Sequence, residues 1–185
     1  MNDIKRLLIG VVPMGDVPQM AVKSVAAHII GYLNLETGIL PPLEDPFYAY
    51  DKKRLQYNAG TILKALESMS LGEYSKIVCL LDADLFVPIF THVFGEAGQG
   101  GRHALVSINR LKQDRDGSIS PMETMLERAA KVALHEMGHL FDLHHCTDKN
   151  CLMSFPATIE DVDRAPFYFC RYCSSFFREA LHRQH

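Results

Sequence analysis

No stretch of the chain approaches the roughly 18 consecutive apolar residues that a membrane-spanning helix needs, which excludes insertion across a bilayer by a helix. There is no excess of positive charge either. The net charge is −3, with acids and bases mixed throughout, so the basic footprint of a nucleic-acid-binding protein and the polybasic patch of a membrane-surface protein are both missing. We find no internal repeat, no low-complexity segment and no linker long enough to separate domains. With 48% hydrophobic residues in 185, the chain can bury one good core, and a single domain over residues 1–185 is the expectation. Met1 to Val12 carries a lysine, an arginine and a short apolar run, but Pro13, Gly15, Asp16 and Pro18 break it and no small-residue cleavage site follows. A soluble, cytoplasmic monomer is therefore expected.

Against those absences stands one dense local pattern, His135-Glu136-Met137-Gly138-His139, followed by His145 and Cys146. Histidines four apart on a helix differ by about 40° in direction and roughly 6 Å in height, so both imidazoles can reach one metal ion. Glu136 then points to the adjoining side, where its carboxylate can touch a metal-bound water without ligating the metal. Ser120-Pro121-Met122-Glu123 reads as N-cap, first helical position and capping-box acid, starting a helix about fifteen residues earlier. Met122, Leu126, Ala129, Ala133, Met137 and Leu140 form its apolar stripe, with Arg128, Lys131, His135 and His139 on the other side.

Of only five cysteines, four fall in the last forty residues: Cys146, Cys151, Cys170 and Cys173. In a cytoplasmic chain this argues for metal thiolates over disulfides; free thiols or a redox pair are the alternative, but a thioredoxin-type pair belongs near a βαβ start. Cys79, within Ile77-Val78-Cys79-Leu80-Leu81, reads as a core thiol.

In chain order, Arg6 to Val12 predicts a buried strand, and Asp16 with Gln19 resembles a capping pair before a helix whose face is Val22, Val25, Ala26, Ile29 and Leu33. Leu35 to Leu43 holds an edge strand ended by Pro41-Pro42, Glu44 to Tyr50 a loop, and a second helix starts near Asn58. Lys76 to Leu81 predicts a strand covered on both faces, with Asp82 and Asp84 as solvated turn residues beyond it. The four glycines of Gly95 to Gly101 lack the following helix of a phosphate loop; they predict a mobile loop feeding a strand at His103 to Ile108. Lys112 to Ser118 is a polar turn, and a C-terminal helix begins at Cys170 and runs through Phe176, Phe177, Ala180 and Leu181. The order implies an α/β fold with helices backing a small mixed sheet.

Together, His135-Glu136-x-x-His139, His145, Cys146, Cys151-x-Met153 and Cys170-x-x-Cys173 resemble the archaemetzincins, zinc-dependent peptidases of the metzincin clan. The resemblance covers Lys131 to Cys173. It implies a compact metzincin-like domain with a twisted mixed sheet and a long zinc-binding helix. It further implies a catalytic zinc on His135, His139 and His145, with Glu136 as general base and Met153 in the turn beneath the metal. Cys146, Cys151, Cys170 and Cys173 would hold a second, structural zinc, and the glycine-rich segment would rim an extended cleft for a peptide or protein substrate. The chemistry agrees. Three neutral imidazoles leave zinc dipositive with one open position, whereas four thiolates close the site and contribute to folding.

Position 142 is glycine in the pattern resembled and Asp142 here. Glycine lets the chain leave the helix with positive φ; aspartate tolerates that conformation at roughly 1 kcal/mol. Three outcomes follow: the turn forms under strain, which is the expectation, His144 replaces His145, or Asp142 itself approaches the metal. A zinc-stabilised binding module with a vestigial catalytic site is the alternative function. Glu136 argues against it and Asp142 for it.

Overall fold

A computed structural model describes residues 7–183. Its elements are β1 (Leu8–Met14), α1 (Gln19–Leu33), β2 (Glu36–Ile39), β3 (Tyr50–Asp51), β4 (Gln56–Asn58), α2 (Ala59–Ser68), β5 (Lys76–Leu81), β6 (Leu85–Phe86), β7 (Gly95–Ala97), β8 (His103–Ser107), α3 (Met122–Leu140), α4 (Ile159–Arg164) and α5 (Arg171–Arg183). Five strands form the main sheet in the order β2-β1-β5-β8-β7. The first four run parallel and β7 runs antiparallel to β8 at the edge. This is the mixed α/β arrangement expected. Arg6, included in the expected first strand, lies outside the described residues.

Alternation along the strands sorts the core into two layers. Ile9, Val11, Val78, Leu80, Ala104 and Val106 face α1 and α3, while Val12, Ile77, Cys79, Leu81 and Leu105 face α2. All six residues of β5 are buried, as its unbroken apolar run requires of a strand covered on both faces. Cys79 is fully buried, and burial pushes its thiol up to about 12.

Several local expectations are corrected. Neither Asp16 nor Ser120 caps a helix: Pro18 and Pro121 occupy the N-cap positions, without side-chain caps. Ser120 is diverted to a buried network, its hydroxyl donating to Asp114 Oδ1 (2.7 Å) and accepting from Arg128 Nη1 (2.6 Å). Arg128 and Lys131, off the apolar stripe as expected, are buried, because α4 and residues 111–120 cover that side of α3. Arg128 bonds both oxygens of Asp163 (2.6 and 2.8 Å), and these contacts, led by Asp163, raise its pKa. Asp82 and Asp84 are paired with Lys112 and Arg110 rather than merely solvated. A short second sheet, β3-β4-β6, and α4 with its Thr158–Asp161 capping box went unforeseen. The glycine-rich segment is not a loose loop: Gly95–Ala97 is the edge strand, and the Gly100 N–H donates to the His139 carbonyl (2.9 Å).

Candidate active site

Helix α3 crosses beneath the edge of the sheet and presents His135, Glu136 and His139 to a cleft of about 770 Å³. The far wall is β7 with Val87 to Val93, and the near wall is His145, Phe155 and Pro156. After α3, Asp142 takes φ 67, the left-handed conformation that lets the chain reverse. Its N–H closes on the His139 carbonyl (2.9 Å) and the Leu143 N–H on the Gly138 carbonyl (3.0 Å). The turn returns His145, not His144, to the helix histidines. The Asp142 carboxylate points elsewhere, accepting from Gln99 Nε2 (3.2 Å).

His139 Nε2 lies 3.1 Å from His135 Nε2 and 3.2 Å from His145 Nε2. His135 Nδ1 donates to the Leu152 carbonyl (2.8 Å) and His139 Nδ1 to the Leu143 carbonyl (2.7 Å). Because a carbonyl only accepts, both Nδ1 atoms carry their protons and the converging Nε2 atoms present bare lone pairs. Burial pushes His135 down to about 3 and His139 to about 4, and it lowers His145 as well, so all three rings are neutral. Three lone pairs so close repel unless a cation sits among them. Nitrogens on zinc at 2.0–2.1 Å and tetrahedral angles lie about 3.3 Å apart, which fits these spacings.

Glu136 is almost fully buried, and its pKa is raised well above the usual carboxylate range by burial and then by Glu96. It packs on Gly95: a Cβ there would stand 2.6 Å from Glu136 Oε1, so only glycine fits. Met153 lies under α3 with its sulfur against Gly138, where a Cβ would meet it at 2.3 Å. The sequence pattern includes Met153, and the glycine-rich segment expected to rim the cleft does line it, through Gly95, Glu96, Ala97 and Gln99; the carbonyls of Leu143 and Leu152 bear no motif and nothing in the sequence points to them. Tyr168 and Tyr172 are exposed and line no side of the cleft.

The second cluster begins at the residue next to His145. The sulfurs of Cys146, Cys151, Cys170 and Cys173 all lie within 4.8 Å of one another, with Cys146 and Cys170 3.8 Å apart. Four thiolates on zinc at about 2.3 Å would be about 3.8 Å apart. N–H groups of Met153 (3.4 Å) and Cys170 (3.2 Å) point at the Cys151 sulfur, and the Cys173 N–H, in the first turn of α5, lowers the Cys170 pKa. Burial raises the thiols of Cys151 and Cys173.

A cleft floored by a histidine-bearing helix, with a third imidazole and a buried carboxylate beside it, is the arrangement of zinc metallopeptidases as a class. A family model described as peptidase family M54 matches residues 18–179, and the chain belongs to that family. The archaemetzincin of Methanopyrus kandleri is 43% identical over 138 residues, 75% of each chain. The crystal structure of archaemetzincin from that organism superposes with a TM-score of 0.86 at 36% identity, covering 98% of both chains. A structure described as a zinc-dependent peptidase from Methanocorpusculum labreanum gives 0.81 at 27% identity, covering 91% of this chain and 99% of the other. The protein is thus a zinc metallopeptidase of the archaemetzincin kind, and no helix among the described residues is long and apolar enough to cross a membrane.

Proposed function

We propose that the protein hydrolyses peptide bonds in the cleft, with His135, His139 and His145 holding a catalytic zinc and Glu136 acting as general base. The observation that carries this reading is the set of bare, converging Nε2 lone pairs beside a buried carboxylate that bonds to none of them. Zinc bound there supplies Lewis-acid activation of a water and of the scissile carbonyl. Glu136 takes the proton of the attacking water and returns it to the leaving amine, a role that a carboxylate of raised pKa performs near neutral pH. The Leu152 and Leu143 carbonyls hold His135 and His139 in the ligating tautomer.

The substrate is positioned by the sheet edge. Ser107 N–H donates to the Phe94 carbonyl and Gly98 N–H to that of His103, which makes 94/107 and 98/103 hydrogen-bonded pairs of the antiparallel ladder. By alternation the N–H and C=O groups of Gly95 and Ala97 face outward, free to pair with an extended peptide. Gly95 then brings that peptide alongside Glu136. In the same reading Cys146, Cys151, Cys170 and Cys173 hold a second, structural zinc, and the chain works as one unit, since α1, α3, α5 and the sheet share a core. The vestigial-site alternative rests on Asp142; the turn forms around that residue with His145 in the triad, and nothing else favours it.

The test is turnover of a mixed peptide library by zinc-loaded protein. Glu136→Ala should lower kcat by about 10²- to 10⁴-fold with zinc still bound. Equal cleavage by both proteins would remove Glu136 from the mechanism.

A further inference from the structure

Glu96 is a carboxylate to which peptide hydrolysis, as proposed, gives no role. It sits at the centre of the edge strand, lines the cleft, and is half-buried, yet among the described residues it has no hydrogen bond and no ion pair. The positive charge proposed for the cleft, a zinc on the triad, would be held by α3 on the opposite face of the sheet from Glu96, and no fixed cation lies among the side chains lining the cleft. The lining residues include Glu96, Glu136 and five histidines, but no lysine and no arginine, and three of those histidines are the neutral rings of the triad. Partial burial of an unpaired carboxylate is unfavourable, and it raises the pKa of Glu96. Packing does not require it: its strand neighbours Gly95 and Ala97 turn toward α3, whereas Glu96 stands opposite Leu105 and shares the α2-side face with it. A side chain retained there at a cost is expected to meet its counter-charge in a ligand.

We infer that Glu96 selects substrates bearing a positively charged group on the residue that lies opposite it when the peptide pairs with β7. This rests on the peptidase reading and on β7 as the docking edge. Residues directly opposite in paired strands put their side chains on the same face with Cβ atoms about 4.5–5.5 Å apart, within reach of an ion pair. Lysine or arginine at that substrate position supplies the charge, and so does a free α-ammonium if the peptide begins there. Glu136 cannot serve in this way, being enclosed behind Gly95.

The experiment scans lysine, norleucine and glutamate through each position of one parent peptide, with free and acetylated N-termini, and compares kcat/KM. At one position lysine should exceed norleucine about fivefold, the upper end for an opposite-charge cross-strand pair. Glu96→Gln should bring that ratio to about one, and Glu96→Lys should invert it in favour of glutamate. A preference that survives acetylation assigns a side-chain cation, and one abolished by it assigns the α-ammonium. The same peptides, fluorescently tagged, are bound to zinc-loaded Glu136→Ala protein, so the charge preference is read without turnover. Cleavage and binding that show no preference, or a preference unmoved by Glu96→Gln, would overturn the inference and leave the peptidase reading standing. Failure to cleave any peptide, with the binding preference intact, would defeat the peptidase reading and spare Glu96.

Discussion

The two ligand clusters share a segment of chain and differ in almost everything else. Both gather donor atoms to within 4.8 Å, and His145 and Cys146 are consecutive. The histidine cluster opens on a cleft and is exposed at His145, whereas the cysteine cluster lies off the cleft and packs on the core, with Cys151 and Cys173 buried and Cys146 and Cys170 half-buried. On the proposed reading, donor type and exposure would divide the labour: zinc on neutral imidazoles at an open position keeps charge and a coordination place for chemistry, while zinc on four thiolates would use both up in holding the chain. The clusters are also joined. Leu152, between Cys151 and Met153, offers its carbonyl to His135 and is held in turn through its N–H to the Tyr168 carbonyl (2.9 Å). The cysteine cluster therefore shapes the platform on which the histidine cluster stands.

The harshest way to break this comparison is to remove a thiolate. Cys151→Ser should abolish the closed site and cost a large share of the about 10–16 kcal/mol that such a site contributes in small zinc domains. Hydrogen exchange should rise over residues 146–183, and His-bound zinc should weaken with it through the loosened Leu152 carbonyl. Thermal unfolding and zinc analysis of Cys151→Ser give the readout; unchanged stability, with four titratable thiols already present in the untreated protein, would refute a second zinc.

Chelation separates the clusters more gently. A zinc-replete preparation should carry close to two zinc ions, and mild chelator should take the histidine-bound one first, because an open site exchanges faster than a closed one. Removal in the reverse order, followed by elemental analysis, would contradict the assignment of the closed site as structural.

Acidification sharpens the difference further in metal-free protein. Burial pushes His135 down to about 3 and His139 down to about 4 in the folded chain, against about 6.5 in an unfolded one. Between pH ~6.5 and those values the unfolded chain binds more protons than the folded one, so stability falls as pH falls across that window. His139→Gln should flatten this slope by about one proton in a urea-denaturation series. A slope identical to that of the parent would mean that the ring is not held neutral.

How much of the fold and site is legible in the chain depends on the range of the interactions. The histidines and cysteines are readable because helix periodicity and ligand chemistry act over a few residues, and β5 because a run buried on both faces needs no partner to announce itself. Ser120 misleads because its local signal, a good N-cap, loses to a buried guanidinium eight residues on that no spacing rule reveals. The glycine-rich segment misleads for a related reason: Gly95 is glycine because Glu136, some forty residues distant in sequence, presses against it, and Gly100 because its backbone takes φ 62 where its N–H reaches the His139 carbonyl. Glu96 carries no signal beyond its place in the segment expected to rim the cleft, since an acid between small residues is ordinary until a cleft opens beside it.

The smallest expected effect lies at the turn within the histidine cluster, Asp142. Its positive φ is strain of roughly 1 kcal/mol that glycine would relieve, and on that ground alone Asp142→Gly should tighten the histidine site. Two things oppose the gain. The carboxylate accepts a hydrogen bond from Gln99, whose amide also donates to the Leu143 carbonyl (3.1 Å) that orients His139. Glycine also adds backbone freedom to the unfolded chain, which costs about 0.4–1 kcal/mol of overall stability. The terms nearly cancel for folding, but the unfolded-state contribution does not enter zinc exchange within the folded protein. Zinc affinity at the histidines should therefore rise by no more than about fivefold in Asp142→Gly, and Asp142→Asn, which keeps both an αL-tolerant residue and an acceptor for Gln99, should leave it unchanged. Competition titration with a zinc indicator measures both. His145→Ala should release the zinc and His144→Ala should not, and a weakened site in Asp142→Gly would show that the Gln99 bond outweighs the strain in holding His139 toward the metal.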